Sequence, residues 1–169
     1  MNFATIRPMF DGHLKQSQVV GLNTILEVAK GLDKTWQAYM LATAFRETAA
    51  TMEPVRESFW LSENWRMSHL RYYPWYGRGY VQLTWEENYK KADATLGLGG
   101  KLLATPDLAM QPDIAAQIML RGMTEGWFTG RKLSDYLPGD YLHARQIING
   151  MDHAHEIADN AKIFEAALA

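Results

Sequence analysis

The chain has 169 residues, of which 47% are hydrophobic and 12% aromatic, and its 17 basic and 19 acidic side chains leave a net charge of −2. This length and composition predict one domain with a core of its own, which excludes a disordered chain and a small disulfide-stapled fold. The absence of cysteine excludes thiolate metal centres and a cysteine nucleophile, and the near-neutral charge argues against nucleic acid as a partner.

The first half of the chain predicts two helices. Apolar residues recur at helical spacing between Ser17 and Lys30. A second helix is expected to begin after Asp33, a residue type that caps helices, and to run to about Ala50. Apolar side chains lie nearly all round this second helix, so we expect it in the centre of the domain.

An irregular segment follows the second helix. Residues 52–83 are rich in aromatic residues, proline and glycine, which predicts loops with short strands around 79–83. Thr84 and Glu87 have the spacing of a capping box, so a further helix is expected to begin at Thr84. That helix should end near Gly97.

Helices are also predicted in the second half. Pro112 suits the first turn of a helix that ends near Trp127, and two more are expected near 140–148 and 153–168. The sum is six or seven helices around one partly β region near 72–84. The predicted fold class is therefore mainly α, with a small irregular β region, in a single globular domain.

The N-terminus carries neither a basic region followed by an apolar stretch nor a cleavage signal. No window approaches the roughly 18 unbroken apolar residues that a membrane helix needs. We therefore expect a protein that begins in the cytoplasm and does not associate stably with membranes.

Glu47 is the most informative single residue. At about 100° per residue it shares a helical stripe with Trp36, Met40 and Thr43, close to the end of the central helix. Burial and the electronegative end of a helix both favour a protonated carboxyl group, which is what a general acid needs. The alternative is a structural carboxylate paired with Arg46, Arg56 or Arg78.

A second carboxylate is needed for most glycosyl-transfer chemistry. Glu53, Glu57 and Glu63 all lie in the irregular segment that follows, and any of them could instead be a solvated loop charge. Spacing alone leaves all three open as the second carboxylate. As a general base Glu57 would have to be ionised, which Arg56 and Arg71 could support.

Half of the 20 aromatic residues lie between Phe59 and Tyr89. Their faces could stack on sugar rings or on nucleobases, and Arg78 stands between two glycines that would leave its guanidinium uncrowded. Ordinary core packing is the alternative for several rings. We favour a binding groove, and the lack of a basic patch disfavours nucleic acid as its ligand.

No metal or cofactor site is predicted. His153 and His155 are two positions apart, and on a helix such residues point about 200° away from each other. The Gly77-Arg-Gly79 segment lacks the third glycine of a dinucleotide-binding loop.

Several segments together resemble glycoside hydrolase family 19, which includes chitinases and the lysozyme-like endolysins of bacteriophages and prophages. The resemblance covers about residues 35–160, and its most specific part is the Tyr-Gly-Arg-Gly-Tyr-Val-Gln-Leu-Thr-Trp run. The matching segments are Ala44-Phe-Arg-Glu47-Thr, Pro54-Val-Arg-Glu57, Tyr76 to Trp85, Asn88-Tyr89, Pro106-Asp-Leu and Ile147-Ile-Asn-Gly150.

The resemblance implies a role for each matching residue. Glu47 would be the general acid and Glu57 the general base, with Glu63 as the fallback. Thr84 would be the hydroxyl that helps to hold the attacking water. The residues implied to bind substrate are Tyr76, Arg78, Gln82, Asn88 and Asn149. The implied reaction is inverting hydrolysis of a β-1,4 bond beside an N-acetylated sugar, for which the two carboxyl groups lie about 6.5–9.5 Å apart.

The sequence departs from the family pattern in two places. Arg46 stands where the family often has histidine, and a cation so close to Glu47 would oppose a general acid unless it points away. Met151 follows Asn149-Gly150 where a second glycine is common.

From the resemblance we expect a single lysozyme-like catalytic domain over residues 1–169, without a separate wall-binding module or cofactor. The expected protein is a monomeric endolysin that cuts the glycan strand of bacterial peptidoglycan. It would accumulate in the cytoplasm of the host bacterium and reach the cell wall through a holin lesion. A chitinase is the nearest alternative, and a glycan-binding protein without activity is the other.

Overall fold

The computed structural model describes residues 1–168. Its six longer helices each span at least seven residues: α2 (Gln16–Val28), α3 (Lys34–Glu47), α4 (Glu63–His69), α5 (Glu86–Thr95), α7 (Pro112–Glu125) and α8 (Ala154–Ala167). The remaining helices are short: α1 (Phe3–Ile6), α6 (Lys101–Ala104) and 3-10 helices at Arg7–Phe10, Pro106–Met110, Leu133–Asp135 and His143–Ile147. The fold is thus mainly α, as predicted.

Helix α3 is the centre of the domain. Seven consecutive residues, Ala38 to Ala44, are buried, and the helix packs along α8. The ring of Phe45 meets Phe10 at 5.2 Å on one side and Phe164 at 6.1 Å on the other, both edge to face. Asp33 caps the helix by accepting a hydrogen bond from the Thr35 amide, at 2.8 Å. The predictions for this helix are confirmed.

The β region is a two-stranded antiparallel sheet. Strand β1 (Val55–Arg56) pairs with β2 (Arg78–Gly79), with Arg56 opposite Arg78. Arg78 also forms a bridge with Leu83 through two backbone hydrogen bonds, which closes a tight turn at residues 79–82. Gln82 in this turn has a left-handed backbone, with φ of 57°.

Three local predictions are corrected. Helix α4 lies inside the segment predicted as loops and strands. The tail segment near 140–148 contains the short 3-10 helix His143–Ile147 and no α-helix. The capping box is absent, since the Thr84 hydroxyl donates to the Gln82 carbonyl and Trp85 occupies the N-cap position of α5. The carboxylate of Glu87 pairs instead with Lys90.

Candidate active site

A groove of about 460 Å³ runs between the end of α3, the segment around β1 and the approach to α8. We call it the central groove. Its lining residues are Arg46, Glu47, Ala49, Val55, Arg56, Glu57, Ser58, Phe59, Trp60, Gln82, Arg145, Asn149, Asp152 and His153. It thus contains four of the residues predicted from the sequence: Glu47, Glu57, Gln82 and Asn149.

Glu47 is the last residue of α3, and its side chain is 19% exposed. Arg145 donates from Nη1 to Glu47 Oε1 at 2.7 Å and from Nε to the Asp152 carbonyl at 2.9 Å. Because the Arg145 side chain is only 5% exposed, both its position and that of the carboxyl group are well defined. None of the three arginines considered from the sequence is the partner of Glu47.

Arg46 is directed away from Glu47. Its Nη2 lies 2.6 Å from His153 Nε2, and its Nε lies 3.8 Å from Glu156 Oε2. Since a guanidinium can only donate, this Nε2 must accept, and the His153 ring then donates from Nδ1 to Glu156 at 3.0 Å. Arg46 is therefore engaged with α8, and the cation that contacts Glu47 is Arg145.

Glu57 follows β1 and faces the central groove from the other wall. Its Oε1 accepts a hydrogen bond from the Tyr72 hydroxyl at 2.6 Å, and its Oε2 accepts one from the Gly77 amide at 2.9 Å. Burial, and then the contact with Glu57, raise the pKa of Tyr72 to about 12. The phenol therefore keeps the proton that it donates to the carboxylate at neutral pH.

The arginines expected to support Glu57 have other partners. Arg56 binds Asp107 at 2.7 Å, and the guanidinium of Arg71 lies over the ring of Trp85, 5.2 Å from its centroid. Instead of the two arginines, the uncharged phenol of Tyr72 and the backbone amide of Gly77 hold Glu57. Both donors suit an ionised carboxylate, which can only accept.

Glu63 lies outside the central groove. It begins α4 and lines a neighbouring depression, where its Oε2 accepts hydrogen bonds from the Tyr76 hydroxyl at 3.0 Å and from Arg66 Nη1 at 3.2 Å. The structure thus places Glu57, and not Glu63, on the same groove as Glu47.

Gln82 and Asn149 contribute polar groups to the groove from opposite sides. The Gln82 amide nitrogen donates to the Val55 carbonyl at 3.0 Å, which fixes the side chain against β1. Asn149 is exposed, and its Oδ1 accepts a hydrogen bond from the Gly150 amide at 2.9 Å. Its amide nitrogen faces no acceptor within residues 1–168.

Thr84 and Asn88 are not among the lining residues of the groove. Thr84 donates from its hydroxyl to the Gln82 carbonyl at 2.8 Å, and Asn88 Nδ2 donates to the Thr84 carbonyl at 2.9 Å. These two side chains form a chain of hydrogen bonds behind Gln82. Their geometry supports the turn that presents Gln82.

Tyr76 and Arg78, predicted to contact substrate, lie in the interior, which corrects the expected location. Tyr76 is 1% exposed. Arg78 is also buried, with its guanidinium 3.6 Å from the Tyr76 ring centroid and its Nε 2.8 Å from Asp107 Oδ1. It also donates to the Tyr89 hydroxyl at 3.0 Å. The flanking glycines do not expose the guanidinium: a Cβ at Gly77 would lie 2.8 Å from Gln82 Oε1, and one at Gly79 would lie 3.2 Å from the Ala109 carbonyl oxygen.

The aromatic wall of the groove is smaller than the sequence suggested. Phe59 and Trp60 line it and are 61% and 71% exposed, with their ring centroids 5.2 Å apart. Tyr80 and Tyr89 are fully buried like Tyr76. Three of the ten aromatic residues of this segment therefore belong to the buried core and not to the wall of the groove.

Two functional groups had not been identified from the sequence. Arg145 lies 98 positions from Glu47, so no local pattern connects them; its position just before the Ile147-Ile-Asn-Gly150 segment was the only signal. Tyr72 was one of many aromatic residues, and its hydroxyl contact depends on tertiary structure. Within the described part of the chain, no group of three histidine or acidic side chains could hold a metal ion.

No helix among residues 1–168 is long and apolar enough to span a membrane.

No family model matches the chain, and no curated protein matches its sequence. Solved structures do match. Chitinase C from Streptomyces griseus HUT6037 has a TM-score of 0.69 and 22% identity over 98% of this chain and 75% of that one.

Two further structures agree. A bacterial family 19 chitinase has a TM-score of 0.60 and 23% identity, over 98% of this chain and 93% of that one. A mutant of chitinase C has a TM-score of 0.52 and 20% identity, over 92% and 91% of the two chains. These likenesses establish that the chain has the fold of the family 19 chitinases.

Proposed function

We propose that the chain is a glycoside hydrolase that cuts β-1,4 bonds in the glycan strand of bacterial peptidoglycan by an inverting mechanism. The observation that carries the proposal is the placement of Glu47 and Glu57 on the two walls of one groove. Each carboxyl group is held by its own donors. Inverting glycosidases use such a pair, with room for a water molecule between them.

Glu47 acts as the general acid. Arg145 is a cation in direct contact with Glu47, where it donates to Oε1. No group within residues 1–168 donates to Oε2, so the proton that Glu47 transfers is carried by that oxygen. Glu47 gives this proton to the glycosidic oxygen as the bond from that oxygen to the anomeric carbon breaks. Arg145 then stabilises the carboxylate that is left.

Glu57 acts as the general base. Tyr72 and Gly77 hold both of its oxygens, and the carboxylate takes a proton from a water molecule on the far face of the sugar. The resulting hydroxyl bonds to the anomeric carbon and inverts its configuration. The proton lost by Glu47 and the proton gained by Glu57 balance over one turnover.

Sugar rings bind on the exposed part of the groove. Phe59 and Trp60 offer ring faces at one end, and aromatic faces of this kind stack on the apolar faces of sugars. Gln82 and Asn149 supply amide groups that suit hydroxyl and N-acetyl substituents.

A chitinase is the second candidate, favoured by the structural neighbours, which are named as chitinases. Chitin and peptidoglycan share β-1,4 bonds beside N-acetylated sugars, so the same two carboxyl groups would serve either substrate. For peptidoglycan the biological role that we propose is host lysis, as a monomeric endolysin that leaves the host cytoplasm through a holin lesion. The family resemblance of the Tyr76–Trp85 segment is common to chitinases and endolysins, so it supports a glycoside hydrolase of either kind.

The experiment that distinguishes the two candidates is a parallel assay on purified peptidoglycan and on a chitin oligomer, with mass spectrometry of the products. We expect soluble fragments from peptidoglycan with new muramic acid reducing ends. New glucosamine ends would mean a glucosaminidase. Cleavage of chitin alone would exclude the lysis role, and anhydro products would exclude hydrolysis by water.

The Glu47→Gln variant tests the acid. Because an amide cannot give up the proton, we expect turnover to fall at least about 10²-fold, while oligosaccharide binding measured by calorimetry is retained. Near wild-type lysis of cell walls by this variant would rule out Glu47 as the acid. A wild-type protein that binds glycan but never cuts it would instead be a binding protein.

A further inference from the structure

A second cavity adjoins the central groove. It measures about 420 Å³ and shares the lining residue Ala49 with the groove, two residues after Glu47. We call it the side cavity. Its polar lining consists of Asp11, His13, Lys15, Ser17, Gln18, Thr51 and Glu53.

The side cavity carries charges of both signs that have no partners. Lys15, Asp11 and Glu53 are exposed, and His13 lies beside them. None of the four side chains forms an ion pair or a hydrogen bond with any group in residues 1–168, whereas Glu47, Glu57 and Arg145 in the central groove are all engaged. A concave surface with free cationic and anionic groups fits a ligand that carries both kinds of charge.

The walls of the side cavity are fixed to each other. Gln18 is buried; it accepts a hydrogen bond from the Lys15 amide at 2.8 Å and donates to the Ala50 carbonyl at 2.9 Å. Ala49 and Ala50 both have left-handed backbones, with φ of 49° and 63°. Residues other than glycine rarely adopt this backbone conformation unless the surrounding structure imposes it. The cavity therefore has a defined position relative to the catalytic carboxyl group.

We propose that the side cavity binds the stem peptide of peptidoglycan while the glycan strand lies in the central groove. The inference rests on the proposed function and specifies its substrate. A chitin chain has no ionised groups, so it has no use for Lys15, Asp11 or Glu53. The stem peptide carries carboxylates and the free amino group of a diamino acid. It leaves the strand at the lactyl group of muramic acid, beside the bond that is cut.

The first test measures, by isothermal calorimetry, the direct binding of a free stem tripeptide that contains a diamino acid. We expect Lys15→Gln and Glu53→Gln each to weaken binding about three- to fivefold, the upper range for an exposed charge pair. The matched control is Lys30→Gln at the far end of α2, where Lys30 and its neighbour Glu27 are both highly exposed. The control should bind like the wild type.

The second test compares kcat/KM on intact glycan strands and on strands stripped of peptide by an amidase. We expect the wild type to prefer intact strands, and both side-cavity variants to lose most of this preference while Lys30→Gln keeps it. Equal rates on both strands, or no binding of the tripeptide, would overturn the inference and leave the proposed hydrolase intact. Tripeptide binding that depends on Lys15, without turnover of either strand, would support the inference and overturn the hydrolase.

Discussion

At the scale of single residues, the two carboxyl groups of the central groove are held by different chemistry. A buried cation, Arg145, contacts one oxygen of Glu47, whereas a phenol and an amide contact the two oxygens of Glu57. Charge-assisted contacts are the stronger kind. The carboxylate of Glu57 is thus held by uncharged donors, while Arg66 binds the backbone carbonyl of Glu57 at 2.9 Å.

A pair of variants tests which carboxylate is the base. We expect Glu57→Gln to lower kcat at least about 10²-fold, since the amide cannot accept the proton. Glu63→Gln should have a much smaller effect, because Glu63 contacts Tyr76 and Arg66 in a separate depression. Circular dichroism of both variants controls for folding. A larger loss of kcat for Glu63→Gln would reverse the assignment.

At the scale of elements, Asp107 joins three short pieces of backbone. It lies in the 3-10 helix Pro106–Met110 and binds Arg56 of β1 at 2.7 Å and Arg78 of β2 at 2.8 Å. Partial burial acts to raise the pKa of Asp107, but the hydrogen bonds from the two arginines outweigh it and hold the pKa below the ordinary 3.8. This small sheet carries Glu57 at its edge.

This shift predicts how stability depends on pH. A carboxyl group with a lower pKa in the folded state binds fewer protons there than in the unfolded state. Its contribution to the free energy of unfolding is therefore fully present above pH 3.8 and is lost as pH falls through the folded pKa. We expect Asp107→Asn to lower the melting temperature by about 2–4 °C at pH 7. The gap to the wild type should narrow as pH falls below 3.8. A gap that stays constant with pH would contradict the role of this charge.

The elements differ in how well local sequence predicts them. Helices α2, α3, α7 and α8 have apolar faces or caps that can be identified from spacing, and all were predicted. Helix α4 has only seven residues, too few for a helical repeat to emerge from an aromatic and glycine-rich segment. In a capping box the Thr84 hydroxyl would accept a hydrogen bond from a backbone amide. After the left-handed turn at Gln82 it donates to the Gln82 carbonyl instead.

At the scale of the whole molecule, one core includes both ends of the chain. The Asn2 amide donates to the Ala167 carbonyl at 2.6 Å. Phe164 of α8 is fully buried against Phe45 of α3. Because α8 also packs against the 3-10 helix that carries Arg145, the same core that stabilises the fold positions the partner of Glu47.

The single core predicts cooperative unfolding. We expect Phe164→Ala to destabilise the protein by about 3–5 kcal/mol through lost burial and the cavity left behind. Denaturant curves followed by tryptophan fluorescence and by far-ultraviolet circular dichroism should coincide for wild type and variant alike. Two separate transitions would mean that the chain does not behave as one domain.

Much of the molecule follows from its sequence alone. The periodicity of apolar residues determined the main helices, and the stripe through Glu47 identified the carboxyl group at the end of the central one. These are local properties, in which neighbouring residues dictate the result. Tertiary structure alone decided three further points. Arg145 contacts Glu47 although the two lie 98 positions apart, and Glu57, not Glu63, lines the groove with Glu47. Tyr76 and Arg78 lie in the interior. The physical reason is that an aromatic ring or an arginine can satisfy its chemistry on a surface or in a core, and only the packing of distant segments selects between them.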